Sequence, residues 1–192
     1  MKIKLCIFAI LFTFIFSIHN FSYSDTTDII VYQDKSFPFS VWHHKSWVNA
    51  QTSNPMTKFK VVSMNGEGSA DFNINVVPDK KNSKKTAKGM VQYMVSNPQY
   101  IESLLKKAIP DVKLIDIGKT YLSNHDAYYT LAEGTYNYAT GNTYFCSIYQ
   151  ISTYIDNTAY ILTFRCPVKE FESYIETFKS MASSFVVTPQ IN

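Results

Sequence analysis

The chain has 192 residues, of which 46% are hydrophobic and 16% aromatic, and its 18 basic residues exceed its 15 acidic ones by three. This composition is typical of a packed globular protein, because disordered chains have few aromatic residues and a high net charge. The near balance of charges argues against a nucleic-acid-binding protein, which concentrates positive charge on one face.

The first 24 residues predict a cleavable secretory signal peptide. A basic start precedes an apolar run over residues 5–18, and small residues stand just before Asp25. As a helix that run would cover roughly 21 Å, which is too short for a hydrocarbon core of about 30 Å. We therefore expect residues 1–24 to be removed and residues 25–192 to form a single α+β domain. The mature protein would be periplasmic or secreted and would have no transmembrane anchor.

Cleavage would change the chemistry of the remaining chain. Two lysines and Cys6 leave with the signal, so the mature protein is nearly neutral and keeps only Cys146 and Cys166. A hairpin centred on Asp156 would place these two cysteines opposite each other, within reach of a disulfide in an oxidising compartment. The alternative is a pair of buried thiols that do not react with each other.

The first half of the mature chain predicts strands followed by two helices. Alternating apolar residues indicate strands at residues 29–32, 37–41, 58–64 and 69–77. The last two strands form a predicted N-terminal hairpin, because Asn65 and the glycines that follow favour a tight turn. Ser83 is a candidate N-cap for the first helix, and Pro98 and Pro110 bound the second.

The second half predicts an antiparallel meander and a closing helix. Four strand segments separated by turn residues lie at residues 112–122, 127–138, 143–155 and 159–166. Residues 168–184 carry apolar side chains at helical spacing. The predicted fold is therefore α+β, an antiparallel sheet made of the meander and the N-terminal hairpin, with helices covering one face.

The order of these elements resembles the PsbP-like superfamily. The resemblance rests on the aromatic opening Phe37, Phe39 and Trp47, on the strand at residues 69–77 before a helical segment, and on the ending at residues 178–185. This superfamily includes the photosystem II extrinsic subunit P, bacterial DcrB-like envelope proteins and a Ran-binding eukaryotic branch. The resemblance implies a sandwich fold and a binding or scaffolding role rather than catalysis.

The sequence contains no recognisable catalytic motif. Neither a Gly-x-Ser-x-Gly elbow nor a cysteine beside a histidine is present. Acid–base or metal chemistry would have to come from His43, His44, His125, Asp126 and Glu133, which match no metal-ligand spacing. Neighbouring histidines on a strand also point to opposite faces. We expect no metal and no cofactor.

Two features are candidate partner-binding surfaces. A dense run of positive charge contains Lys80, Lys81, Lys84 and Lys85, and the meander is rich in tyrosine, from which we select Tyr136, Tyr138, Tyr144 and Tyr149. Tyrosines on an open sheet face suit contact with protein or carbohydrate. The alternatives are an ordinary solvated loop for the lysines and high strand propensity for the tyrosines.

These features support two hypotheses about function. The first is an exported, non-enzymatic binding or accessory protein that contacts an unknown protein or envelope component, and not nucleic acid, through the tyrosine face or the lysine edge. The alternative is a secreted hydrolase whose histidine and acidic residues converge only in the fold. A deep pocket that contained two of those residues would favour the hydrolase.

Overall fold

A computed structural model of the chain describes residues 28–63, 70–79, 86–137 and 143–188. Several predicted features lie outside these ranges, namely the signal peptide, the turn after Asn65, the four lysines of the charged run, Ser83 and Tyr138. The N-cap of the first helix is Thr86 rather than the predicted Ser83, and its side chain accepts a hydrogen bond from the N–H of Gly89.

The described residues form ten strands and three helices. The strands are β1 Ile29–Gln33, β2 Phe39–His44, β3 Trp47–Asn49, β4 Thr57–Ser63, β5 Ala70–Pro78, β6 Lys113–Leu122, β7 His125–Asn137, β8 Thr143–Ile155, β9 Thr158–Pro167 and β10 Val186–Val187. The helices are α1 Ala87–Ser96, α2 Pro98–Lys106 and α3 Phe171–Ser183. No helix within the described ranges has the length and apolar character required to cross a membrane.

The strands form two antiparallel sheets. The larger has seven strands in the order β3-β4-β5-β9-β8-β7-β6, and the smaller has the order β1-β2-β10. The predicted hairpin is β4 and β5, and the predicted meander is β6 to β9. Because β5 pairs with β9, the hairpin extends the meander at its last strand. The predicted α+β fold class is confirmed.

One face of the large sheet is packed with aromatic side chains, and we call it the aromatic face. Phe178 of α3 stacks on Phe164 at 5.1 Å between ring centroids and meets Phe72 edge-on at 5.4 Å. The small sheet closes the same core, where Phe39 lies 5.6 Å from Phe185. These rings are almost completely buried, so this face supplies most of the hydrophobic stabilisation of the fold.

The helices divide between the two faces of the large sheet. α3 lies on the aromatic face, whereas α1 and α2 pack over β6, β7 and β8 on the opposite side, which we call the polar face. There the segment after α2 comes so close to Gly134 that a Cβ atom would lie 2.7 Å from Ile109 and 3.0 Å from the Cα of Val112. A glycine is therefore required for this contact. The helices leave the polar side of β5 and β9 uncovered.

A two-residue turn joins β8 and β9. Asp156 and Asn157 both have positive φ, 47° and 57°, which is the conformation of a type I′ hairpin turn. Ile155 therefore pairs with Thr158. The turn is centred between the two residues, whereas the sequence predicted a centre on Asp156.

This half-residue difference overturns the predicted disulfide. Cys146 pairs with Pro167, and Cys166 pairs with Ser147. Since paired residues share a face and successive residues alternate, the two thiols lie on opposite faces of the sheet. Both are buried, and no disulfide joins them. The prediction of a disulfide was wrong because the hairpin register was wrong by one residue.

Cys146 and Cys166 should therefore both be thiols in the folded protein. Burial raises the pKa of Cys166 to about 12, so its reactive thiolate form is scarce in the folded state. We expect iodoacetamide to modify Cys166 slowly in the folded protein and to modify both cysteines rapidly in urea without any reductant. Mass spectrometry of the alkylated protein measures this, with a pre-reduced sample as control. A denatured protein that takes up label only after reduction would contradict the observed register.

Candidate functional site

The polar face contains a cleft of about 300 Å³. Its floor consists of side chains from β4, β5, β8 and β9, and the polar ones are Thr57, Lys60, Asn73, Asn75, Gln150, Thr163 and Arg165. One wall is apolar and includes Leu105, Ala108, Ile109 and Tyr136. We call this feature the polar cleft. It lies beside the area covered by α1 and α2, where the helices leave the polar side of β5 and β9 uncovered.

The floor of the polar cleft is a row of polar side chains that crosses the sheet. Lys60 pairs with Asn73, Asn73 with Thr163, and Thr163 with Gln150. The row continues from Gln150 to Thr130 on β7. Because paired residues share a face, the row runs in one direction across five strands. Interior strands of a covered sheet normally carry apolar residues at such positions.

An ion pair fixes one end of the polar cleft. Arg165 donates through Nε to both oxygens of Asp71, at 3.2 and 3.0 Å, and through Nη2 to Oδ1 at 2.7 Å. The side chain of Asp71 is completely buried and that of Arg165 is 12% exposed. The guanidinium also lies 3.9 Å from the centroid of the Tyr136 ring, in cation–π contact. Arg165 is thus held in a single orientation between a carboxylate and a ring.

The chemistry that the polar cleft offers is hydrogen bonding. Among the described residues that line it there is no histidine, cysteine, aspartate or glutamate. The nearby carboxylate of Asp71 already accepts hydrogen bonds from Arg165 and, at 3.2 Å, from Asn73. These side chains can position a bound molecule through hydrogen bonds.

The histidines and acidic residues considered for catalysis are scattered. His43 is 2% exposed in the core beside Phe59, with ring centroids 5.5 Å apart. His44 points to the other side of β2 and contacts Ser46. His125 is exposed at the start of β7, and Glu133 is eight residues further along the same strand. Within the described part of the chain, no group of three potential metal ligands occurs.

The selected tyrosines lie on both faces of the large sheet. Tyr136 pairs with Tyr144 on the polar face, where Tyr136 lines the polar cleft. Tyr149 lies on the aromatic face, 5.3 Å from Phe178 and stacked 5.8 Å from Tyr129. Tyr149 is therefore part of the packing beside α3. Of the selected tyrosines that the structure describes, Tyr136 and Tyr144 lie on the polar face and remain candidates for contact with a partner.

Sequence reasoning missed Asp71, Asn73, Gln150 and Arg165. Asp71 and Arg165 are 94 positions apart, and no local pattern connects them. A signal was nevertheless present in β5, where polar residues at 71, 73 and 75 alternate with Phe72, Ile74 and Val76. A strand in the middle of a sheet with one wholly polar side indicates an uncovered surface on that side.

Comparison with solved structures gives the same fold. The chain is similar to the cyanobacterial PsbP (CyanoP) of Synechocystis, with a TM-score of 0.56, 12% identity, and coverage of 86% of this chain and 96% of that one. It is also similar to the Ran-binding protein Mog1p of Saccharomyces cerevisiae, with a TM-score of 0.52, 10% identity, and coverage of 83% and 95%. LpqN of Mycobacterium tuberculosis gives a TM-score of 0.51, 11% identity, and coverage of 87% and 88%.

These likenesses establish the PsbP-like fold that the sequence pattern resembled. No protein-family model matches the chain, and a search of curated protein sequences found no match. At such low identities the shared fold carries no information about ligands, because one fold can host many unrelated functions.

Breaking the buried ion pair should strongly destabilise the protein. We expect Asp71→Asn to lower the free energy of unfolding by about 3–5 kcal/mol, because it leaves the charge of Arg165 buried without its partner. Urea denaturation measures this. The double variant Asp71→Leu with Arg165→Met should recover most of the loss. Asp116→Asn, the same change at an exposed carboxylate, is the matched control and should cost under about 1 kcal/mol. An equal effect at both positions would contradict the role of the ion pair.

Acid should destabilise the protein through His43. Burial lowers the pKa of His43, and a contact with the His44 carbonyl opposes this shift less strongly. The unfolded chain therefore binds more protons than the folded one below the ordinary pKa of about 6.5. Stability from this source is complete above about pH 6.5 and is lost as the pH falls toward the folded-state pKa.

The His43→Gln variant should lose this part of the pH dependence. Urea midpoints at about pH 7.5 and about pH 5 measure the difference. His44→Gln, on the other side of the same strand, is the control and should keep the wild-type pH dependence. If His43→Gln and wild type lose stability equally on acidification, another group is responsible.

Proposed function

We propose that the protein is an exported, non-enzymatic accessory protein that binds an envelope or secreted partner through the polar cleft and the adjoining Tyr136 and Tyr144. The observation that carries the proposal is the composition of the polar cleft: amides, hydroxyls, an internally paired arginine and an aromatic wall. Such groups orient a bound molecule, and tyrosines beside them provide rigid contact area.

The same composition counts against the hydrolase alternative. Hydrolysis needs an activated water or a nucleophile, and both need a base or a metal at the reacting bond. His43 is in the core, and the described residues that line the polar cleft include no histidine or carboxylate. His125 lies away from the polar cleft, in a second pocket that Asp156 also lines.

Export is supported by the residue pattern of the first 24 positions. It is also compatible with the setting of one structural neighbour, since LpqN is involved in cell envelope biogenesis. Accessory proteins need no catalytic apparatus, which agrees with the groups present at the polar cleft. The proposal makes the mature protein, beginning at Asp25, the active form.

A photo-crosslinking amino acid in place of Tyr144 should capture the partner in intact cells of the producing organism. Tyr144 lies on the polar face, opposite Tyr136. We expect a specific crosslinked species at this position. Tyr121, which is 74% exposed on the edge strand β6, serves as the matched control and should give little or none. Intact mass of the recovered protein should show that it begins at Asp25.

Equal crosslinking at both tyrosines, or none at Tyr144 in a folded protein, would contradict binding at the polar face. A protein that keeps residues 1–24 and stays in the cytoplasm would contradict export. The two parts of the proposal are therefore tested separately.

A further inference from the structure

The amide side chains at the floor of the polar cleft are only partly used within the protein. Gln150 donates from Nε2 to the hydroxyl of Thr163 at 3.0 Å, and Asn73 donates from Nδ2 to Asp71 at 3.2 Å. In the part of the chain that the structure describes, the side-chain oxygens of Asn73 and Gln150 accept no hydrogen bond. Each amide also has a second N–H. The floor therefore offers both acceptors and donors.

This arrangement is unusual for interior strands of a sheet. Asn73 is 7% exposed and Thr163 is 5% exposed, so nearly buried positions hold polar side chains where apolar ones are the rule. A buried polar group that lacks a hydrogen bond destabilises the fold. At the end of the row, the hydroxyl of Thr130 is buried without a partner among the described residues. Thr130 does not line the polar cleft, whereas Asn73 and Gln150 do. A molecule bound in the polar cleft would complete the hydrogen bonds of these two amides.

Charge points to an uncharged molecule. The guanidinium of Arg165 is compensated by Asp71 at 2.7 Å and is covered on one side by the Tyr136 ring, so it adds little net charge. Lys60 contributes one ammonium at the end of the row. Amides and hydroxyls dominate the rest of the floor. Anion-binding sites are built differently, from several uncompensated cations or clustered backbone N–H groups.

The position of the polar cleft excludes the addition of a peptide as an extra strand. Its floor is the side-chain face of β5, β9 and β8, which are interior strands with neighbours on both sides. A peptide strand needs an open sheet edge. A ligand must therefore be recognised by side chains alone. A cleft of about 300 Å³ is at the lower end of the range for small-molecule sites.

We propose that the polar cleft binds a small neutral saccharide, with ligand hydroxyls donating to the side-chain oxygens of Asn73 and Gln150. Each hydroxyl can donate and accept, which matches the mixed groups of the floor. The C–H surfaces of a sugar ring would lie against the apolar wall formed by Leu105 and Ile109. This assignment deepens the proposed function, on which it rests, by giving the chemical class of the envelope component.

The experiment uses the mature protein and a panel of disaccharides. The neutral members are maltose, cellobiose, lactose and N,N′-diacetylchitobiose, and a disaccharide that contains a uronic acid is the charged comparison. Saturation-transfer NMR detects contact, and titration calorimetry gives the affinity. We expect at least one neutral disaccharide to bind at concentrations below about 10 mM, which is the affinity range of a weak small-molecule site.

The Gln150→Met variant separates binding from structure. It keeps the size of the side chain and removes its polar groups, so binding should weaken at least about tenfold. Combined with Thr163→Val, which removes the other partner of the hydrogen bond from Gln150, it should leave the urea midpoint close to the wild-type value. A merely structural hydrogen bond would leave the affinity unchanged. Gln92→Met, the same change on the exposed surface of α1, should alter neither quantity.

Several results would overturn the assignment. These are the absence of binding by every neutral disaccharide, binding of the uronic acid compound alone, or wild-type affinity in Gln150→Met. Capture of a protein partner at Tyr144 together with any of these results would leave the proposed function intact and remove only the saccharide. Failure of both experiments would remove both.

Discussion

The two-residue turn at Asp156 and Asn157 is the constraint on which the rest of the structure depends. Both residues adopt positive φ, and the resulting type I′ geometry sets the register of the two central strands of the large sheet. Side chains alternate along a strand, so a shift of one residue would exchange the faces of all residues of β9 relative to β8. Phe164 would then leave the aromatic face and Arg165 would enter it.

The polar face depends on a second register as well. β9 also pairs with β5, which places Arg165 beside Asp71 and Thr163 beside Asn73, while the β8–β9 hairpin places Thr163 beside Gln150. The ion pair thus depends on the β5–β9 register, and the polar row depends on both registers. Neither group has a local sequence signature, and both depend on strand pairings that connect distant parts of the chain.

The two faces of the large sheet have opposite roles in stability. On the aromatic face, Phe72, Phe164 and Phe178 interlock with edge-on and stacked geometry, and they are completely buried. This packing can offset polar groups elsewhere that contribute little or oppose folding. The well-packed aromatic face therefore allows interior strands to carry a polar row on their other side. Because successive side chains of a strand point to opposite faces of the sheet, one face can form the apolar core while the other carries polar groups.

Much of the fold could be predicted from the sequence because strands and helices leave local periodic signals. The hairpin, the meander and α3 lie within a few residues of their predicted positions. Short elements such as β3 and β10 were missed, since two or three residues show no periodicity. The packing of α1 and α2 on the second face was also missed, because amphipathic helices do not encode which face they cover.

Of the residues that line the polar cleft, only Tyr136 was selected from the sequence, and Tyr144 is its cross-strand neighbour. The floor residues of the polar cleft come from strands that lie far apart in sequence, and their contacts depend on a register that is sensitive to a single residue. The same sensitivity explains the disulfide error, because the predicted alignment of the two cysteines was wrong by one residue. Sequence patterns specify elements well, but they specify cross-strand neighbours only through the turns.

The separation of Cys146 and Cys166 by the sheet has a consequence for the unfolded protein. In the native state each thiol is shielded, and the backbone keeps the two apart. When the chain opens in an oxidising compartment, that separation disappears, and the thiols can form a bond that the native register forbids. A chain closed in this way could not regain its sheet. If the protein is exported as proposed, oxidation would trap the unfolded chain, and the lifetime of the protein would depend on how rarely it unfolds rather than on how readily it refolds.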